Sequence, residues 1–127
     1  MIDMKFLSKL DPISYLLLRL VFGFLFSCHG FAKIFGFFGE HRVAMGLTLS
    51  YFGAIIELIG GVLIFLGLFT RFAAFISSGE MAVAYFKFHA KGSLFPIANH
   101  GELAVIYCFV ALVIATRGVG WLGFDRS

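Results

Sequence analysis

Apolar residues along this chain fall into four long runs separated by short polar or glycine-containing breaks. A helix needs about 20 mostly apolar residues to cross the hydrocarbon of a bilayer. The runs extend from Ile13 to Phe38, Tyr51 to Phe69, Phe72 to Phe88 and Glu102 to Thr116. They predict four transmembrane helices, the last borrowing length from its flanks. Very short connections force antiparallel neighbours. The expected fold is an all-α membrane protein, an antiparallel four-transmembrane-helix bundle, in a single domain over residues 1–127. Asp11-Pro12 suits a helix start, with Asp11 as cap and Pro12 in the first turn. Thr70-Arg71 serves as the turn before the third run, with Thr70 as its expected cap. EHRVAMGLTLS, from Glu40 to Ser50, reads as an interfacial connection, and AKGSLFPIANHGE, from Ala90, reads as a loop.

Ionisable positions inside the runs are few: Arg19, His29 and Lys33 in the first, Glu57 in the second, Glu80 in the third and Glu102 opening the fourth. A charge at the bilayer centre costs about 2.5–3.5 kcal/mol even on the lenient insertion scale, so such groups turn inward and seek partners. At about 100° per residue, Arg19, Gly23, Phe26, Gly30 and Lys33 form one stripe, with His29 on its flank. Gly46, Gly53, Gly60 and Gly67 recur every seventh residue, with Glu57 on their stripe. Small residues at that spacing let a neighbouring backbone approach, so Glu57 is expected in a helix contact. Ala73, Ser77, Glu80, Ala84 and Lys87 share a face of the third run.

Alternating span directions put His29, Lys33, Glu57, Glu80 and Glu102 in the half of the membrane away from the termini. The loop residues His89, Asn99 and His100 fall on that same side. The expectation is one polar pocket built from those five, with Tyr85, His89, Asn99 and His100 at its rim and Arg19 alone in the other half. Structural roles compete for the same residues. Asn99 and Glu102 have the spacing of a capping box, Lys33 can snorkel to the interface, and His29 can pack between helices. Glu57 and Glu80 can also be protonated hydrogen-bonding groups between helices, a weaker alternative than for the others.

Composition narrows the class. Of 127 residues, 61% are apolar and 13% charged, and a mean hydropathy of +0.99 is that of a membrane protein. The net charge of +3 is scattered, so nucleic acid is not an expected partner. The first run outlasts a signal peptide and is expected to remain as a span. Lys5, Lys9, Arg71, Arg117 and Arg126 lie on the terminal side against Lys33, Arg42, Lys87 and Lys91 on the other, which favours cytoplasmic termini by one charge. Cys28 and Cys108 have no C-x-x-C spacing and turn away from the acidic stripe, so they are expected as unpaired structural thiols. Histidines lack metal-ligand spacing, and no metal or intrinsic cofactor is expected.

RLVFGFLFSCHGFAKIFG (Arg19 to Gly36), IELIGGVLIFLGLFTRFAAF (Ile56 to Phe75) and GEMAVAYFKFHAKGSLFPIANHGELAVIYCF (Gly79 to Phe109) carry H-G-x-x-K, E-x-x-G-G, G-L-x-T-R and F-P-x-x-N-x-G-E. In these motifs the chain resembles the DoxX family of small bacterial membrane proteins. The resemblance implies four membrane helices, residence in the bacterial inner membrane, and association with a quinone- or thiol-linked redox complex. The family takes its name from a membrane subunit of an archaeal thiosulfate:quinone oxidoreductase. The expected function is that of a small membrane subunit rather than an independent enzyme. Its pocket would take a small ligand such as a quinone, and its partner would be a larger membrane protein or a second copy. His29 and Lys33 would donate hydrogen bonds, and Glu57 and Glu80 would hold protons. A purely structural accessory subunit and a small-solute transporter are the competing expectations; Arg19 standing apart argues against a continuous polar route.

Overall fold

The structure is a computed structural model and describes residues 4–37, 39, 42, 46 and 48–126. Among these residues every regular element is helical. A single turn, α1 (Lys5–Ser8), precedes α2 (Asp11–Phe35), α3 (Leu49–Leu66) and α4 (Thr70–Ala84). A π-helical segment (Tyr85–His89) prolongs α4, and α5 (Pro96–Asn99) and α6 (Glu102–Arg117) follow. Two of them, α2 and α3, are long and apolar enough to cross a membrane. Phe38, the expected end of the first span, and most of the Glu40–Ser50 connection lie outside the described residues.

Helix ends differ from the sequence expectation at two points. Asp11 is the first residue of α2 and makes no capping bond; it pairs instead with Arg117 at 2.9 Å. Thr70 does not cap α4 either. The turn closes one residue earlier, with Phe69 in the left-handed region at φ 50° as the capping position. A phenylalanine side chain has no oxygen to offer, so the free N–H groups turn to a distant part of the chain. Asp125 accepts from the amides of Phe69 and Thr70, each at 2.8 Å. Burial alone would raise the Asp125 carboxyl, but the Thr70 and Phe69 bonds and the Arg19 charge hold it below its ordinary value. At α3 the local rule holds: the Thr48 hydroxyl accepts from Tyr51 N–H at 3.1 Å.

Glycine sets how closely α2 and α3 approach. A Cβ added to Gly23 would lie 2.6 Å from Phe65 N, and one on Gly30 2.6 Å from Ala54 O. On Gly61 it would lie 2.7 Å from Gly23 O. Contacts pair the N-terminal half of α2 with the C-terminal half of α3, and the reverse. The α3–α4 contact has the same order, with Gly60 against Ala73 and Ser77 and Gly53 against Glu80. Between α4 and α6, Ser78 donates to Cys108 O at 2.8 Å and Arg71 donates to Thr116 O at 2.6 Å.

The core between the helices contains an aromatic cluster. Phe22 stacks on Phe26 with ring centres 5.1 Å apart, and Tyr107 meets both edge-on. Phe24, Phe72, Phe75, Phe86 and Phe109 point the other way, each with more than half its surface exposed. Exposed aromatic surface on that scale seeks an apolar medium.

Arg19 explains how the terminal end is closed. It is fully buried and donates to the carbonyls of Trp121 at 2.8 Å, Leu122 at 2.7 Å and Val119. The cation expected to stand alone thus ties the segment after α6 to α2. With Asp125 on α4, the same segment is anchored at two points.

Candidate functional site

The site sits where α2, α3 and α4 converge away from the chain ends. On α2, the stripe that buries Gly30 against α3 also carries Lys33 one turn on. On α3, Glu57 is 2% exposed, and Lys33 Nζ lies 3.0 Å from both of its carboxyl oxygens. A single ammonium bridging two oxygens is a charge-assisted pair held out of water on the acidic side. Glu80 approaches from α4. Its Oε2 lies 3.2 Å from where a Gly53 Cβ would stand, and Glu57 Oε2 is 3.9 Å from the same point. Gly53 therefore makes room for two carboxyls to meet. Glu80 Oε1 is buried without a hydrogen-bond partner among the described residues, a costly arrangement that leaves it open to a ligand.

This cluster forms part of the wall of a cleft of about 610 Å³, a volume in the range of small-molecule sites. His29, His89, His100 and Tyr107 also line it, with apolar side chains from α3, α4 and α6. Tyr107 presents its ring edge-on to His29, with ring centres 5.7 Å apart. The π-helical segment matters here. In α register Lys87 would continue the face of Glu80 and Ala84, but the wider turn leaves Lys87 exposed and sets His89 against the cleft. Wide turns of this kind shift the register of every following side chain.

The structure thus brings together His29, Lys33, Glu57 and Glu80, with His89 and His100 at the edge. It does not bring in Glu102, which is exposed at the start of α6. Ala104 faces the cleft, and a residue two positions earlier points about 160° away. Asn99 and Tyr85 also lie off the lining, where they lock the loop. Asn99 Nδ2 donates to Tyr85 Oη at 2.9 Å and to Ser93 O at 2.8 Å, and Tyr85 Oη donates to Leu94 O at 2.6 Å. Asn99 Oδ1 accepts from Gly101 N–H at 2.9 Å, so its side chain closes a local turn and no capping box forms with Glu102. Cys28 and Cys108 are free thiols.

Tyr107 is a lining residue that the sequence reading missed. Its signal was the spacing Ala104, Tyr107, Ala111, Ile114, which is the buried face of α6. That face is hard to see because α6 is apolar all round.

Residues 14–90 match the DoxX family. The chain belongs to the DoxX family. This DoxX chain is 42% identical over 130 residues to an uncharacterized protein of Haemophilus influenzae, covering 98% of the chain and 97% of that relative. It is 30% identical over 125 residues to the Bacillus subtilis protein named "Putative oxidoreductase CatD", covering 94% and 90%. No solved structure matches it. DoxX proteins are membrane proteins, which accords with the two long apolar helices and the exposed phenylalanines.

Proposed function

We propose that this DoxX chain is a small inner-membrane component of a redox system, with a cleft that binds a quinone-like molecule. In this reading four helices cross the bilayer as an antiparallel bundle, with both termini in the cytoplasm. The continuous helical run Thr70–His89 and the apolar α6 supply the third and fourth crossings. The printed name of the Bacillus subtilis relative supports a link to oxidoreduction.

The observation that carries the proposal is the meeting of Lys33, Glu57 and Glu80 beside a mainly apolar cleft. Two carboxyls and one ammonium reach charge balance when a single proton sits on the carboxyl pair. The cluster is therefore built to hold a proton and to offer it as a hydrogen bond to an uncharged acceptor such as a carbonyl. His29, against Tyr107 on the adjoining wall, supplies a second polar contact. Electrons pass to a partner membrane protein, and this chain binds the ligand and handles protons.

The test is retention of lipophilic small molecules by protein extracted from native membranes in lipid nanodiscs, read by mass spectrometry. Glu57→Gln, Glu80→Gln and His29→Ala are each expected to lower the bound quinone while the protein remains inserted. Equal retention by all three variants would defeat the cleft as a ligand site.

A further inference from the structure

Gly79 stands mid-helix in α4 with nothing within 4 Å of where its Cβ would be. Glycine weakens a helix relative to alanine, and close packing is the usual reason to accept it. Here no neighbour approaches, although Gly79 lines the cleft and is exposed. Its helical neighbours Ile76 and Val83 also line the cleft while exposing 39% and 51% of their surfaces. Across from them, Phe52 on α3 does the same at 49%.

The two helices splay along this seam. At Gly60 they touch closely, since a Cβ there would lie 2.7 Å from Ser77 Oγ. At Gly53 the nearest atoms belong only to the Glu80 and Glu57 carboxyls. Gly79, one residue before Glu80 on α4, borders this gap with its outer side open. The cleft thus has an apolar mouth formed by Phe52 and Ile56 on α3 and Ile76, Gly79 and Val83 on α4, with the acidic pair just inside.

We propose that this mouth is a lateral portal through which a membrane-dissolved ligand, apolar in its body and uncharged at its polar head, passes from the hydrocarbon to Glu80. The proposal rests on the reading above that these helices span the bilayer. An apolar mouth penalises a charged or strongly hydrated solute, whereas a lipophile crosses it without leaving hydrocarbon. The missing side chain at position 79 leaves the width, and Glu80, whose Oε1 is buried and unpartnered, lines the same cleft.

The test uses a small apolar photoreagent, trifluoromethyl phenyl diazirine, dissolved in phosphatidylcholine vesicles that carry the full chain. Labelled residues are mapped by mass spectrometry. Ala104 and Tyr107 line the cleft yet are only 8% and 7% exposed, so label on them reports passage through the mouth. Phe24 and Phe109 report contact with lipid. In the parent and in Gly79→Ala, label is expected on both pairs. In Gly79→Phe and Gly79→Trp, label on Ala104 and Tyr107 is expected to be lost while Phe24 and Phe109 stay labelled, which shows that the variants remain in contact with lipid. Undiminished label on Ala104 and Tyr107 in both bulky variants, or none there in the parent, overturns the portal. Unlabelled Phe24 and Phe109 in the parent counts instead against the membrane-spanning reading and removes the portal with it. Failure of quinone retention with the label pattern intact defeats the proposed ligand and leaves the portal standing.

Discussion

The same substitution, glycine to alanine, is expected to have opposite signs at Gly30 and Gly79. An added methyl at Gly30 would lie 2.6 Å from Ala54 O and 2.8 Å from Leu58 Cα, against the 3.4 Å at which ordinary contact begins. Both obstacles are backbone, so neither can rotate aside; α2 and α3 must separate. Overpacking costs about 1–3 kcal/mol, and a backbone obstacle places this case at the upper end. Alanine recovers about 1 kcal/mol of helix propensity. The net loss expected for Gly30→Ala is about 2 kcal/mol, roughly thirtyfold in the folding equilibrium. Gly79→Ala meets no atom within 4 Å and keeps only the gain, about 0.5–1 kcal/mol. Unfolding in dodecylmaltoside micelles titrated with dodecyl sulfate, followed by far-ultraviolet circular dichroism, ranks the three proteins. Gly79→Ala should unfold last and Gly30→Ala first. A Gly30→Ala protein as resistant as Gly79→Ala would refute the claim that glycine sets the α2–α3 distance.

Arg19→Met removes the donor that holds the carbonyls of Val119, Trp121 and Leu122; loss of charged hydrogen bonds of about 1.5–3 kcal/mol each should free the C-terminal segment, seen as faster trypsin cleavage at Arg117, where that segment leaves α6, in folded protein, and a cleavage rate equal to the parent's would contradict the anchoring role. Lys33→Met leaves Glu57 buried without its cation and should cost about 2 kcal/mol, less than a fully buried pair because Lys33 is 33% exposed. Adding Glu57→Gln should restore part of that loss in the same titration, and no recovery would mean that the pair is not the source. Asp125, held below its ordinary value of 3.8, stabilises the fold above that pH and loses its contribution as pH falls through the lower folded value. The stability gap between the parent and Asp125→Asn should therefore be constant above about pH 5 and narrow below pH 4; a gap that persists at pH 2 would contradict this.

Much of the helical layout follows from local chemistry. Long apolar runs with few charges place α2, α3, α4 and α6, because each residue's preference adds to its neighbours' within one segment. The inward stripes of α2, α3 and α4 are legible for the same reason: Gly30, Lys33, Glu57 and Glu80 repeat at helical spacing, and a polar group in an apolar run has few tolerable directions. Where local chemistry is uniform or changes period, legibility ends. On α6, apolar on every side, neither Tyr107 inward nor Glu102 outward could be seen. Past Ala84 the π turn breaks the 100° rule that put Lys87 with Glu80, and His89 takes the place against the cleft.

By itself, then, the sequence determined which segments are helical and which polar side chains share a face, since both depend on residues within a few turns of each other. Only tertiary structure decided the rest. That Arg19 would find the carbonyls after α6, that Asp125 would cap α4 from 55 residues away, and that the α3–α4 contact would loosen from Gly60 to Gly53 all depend on how separate helices dock. Docking is settled by backbone approach at Gly23, Gly30 and Gly61 and by satisfaction of polar groups that no nearby residue could reach.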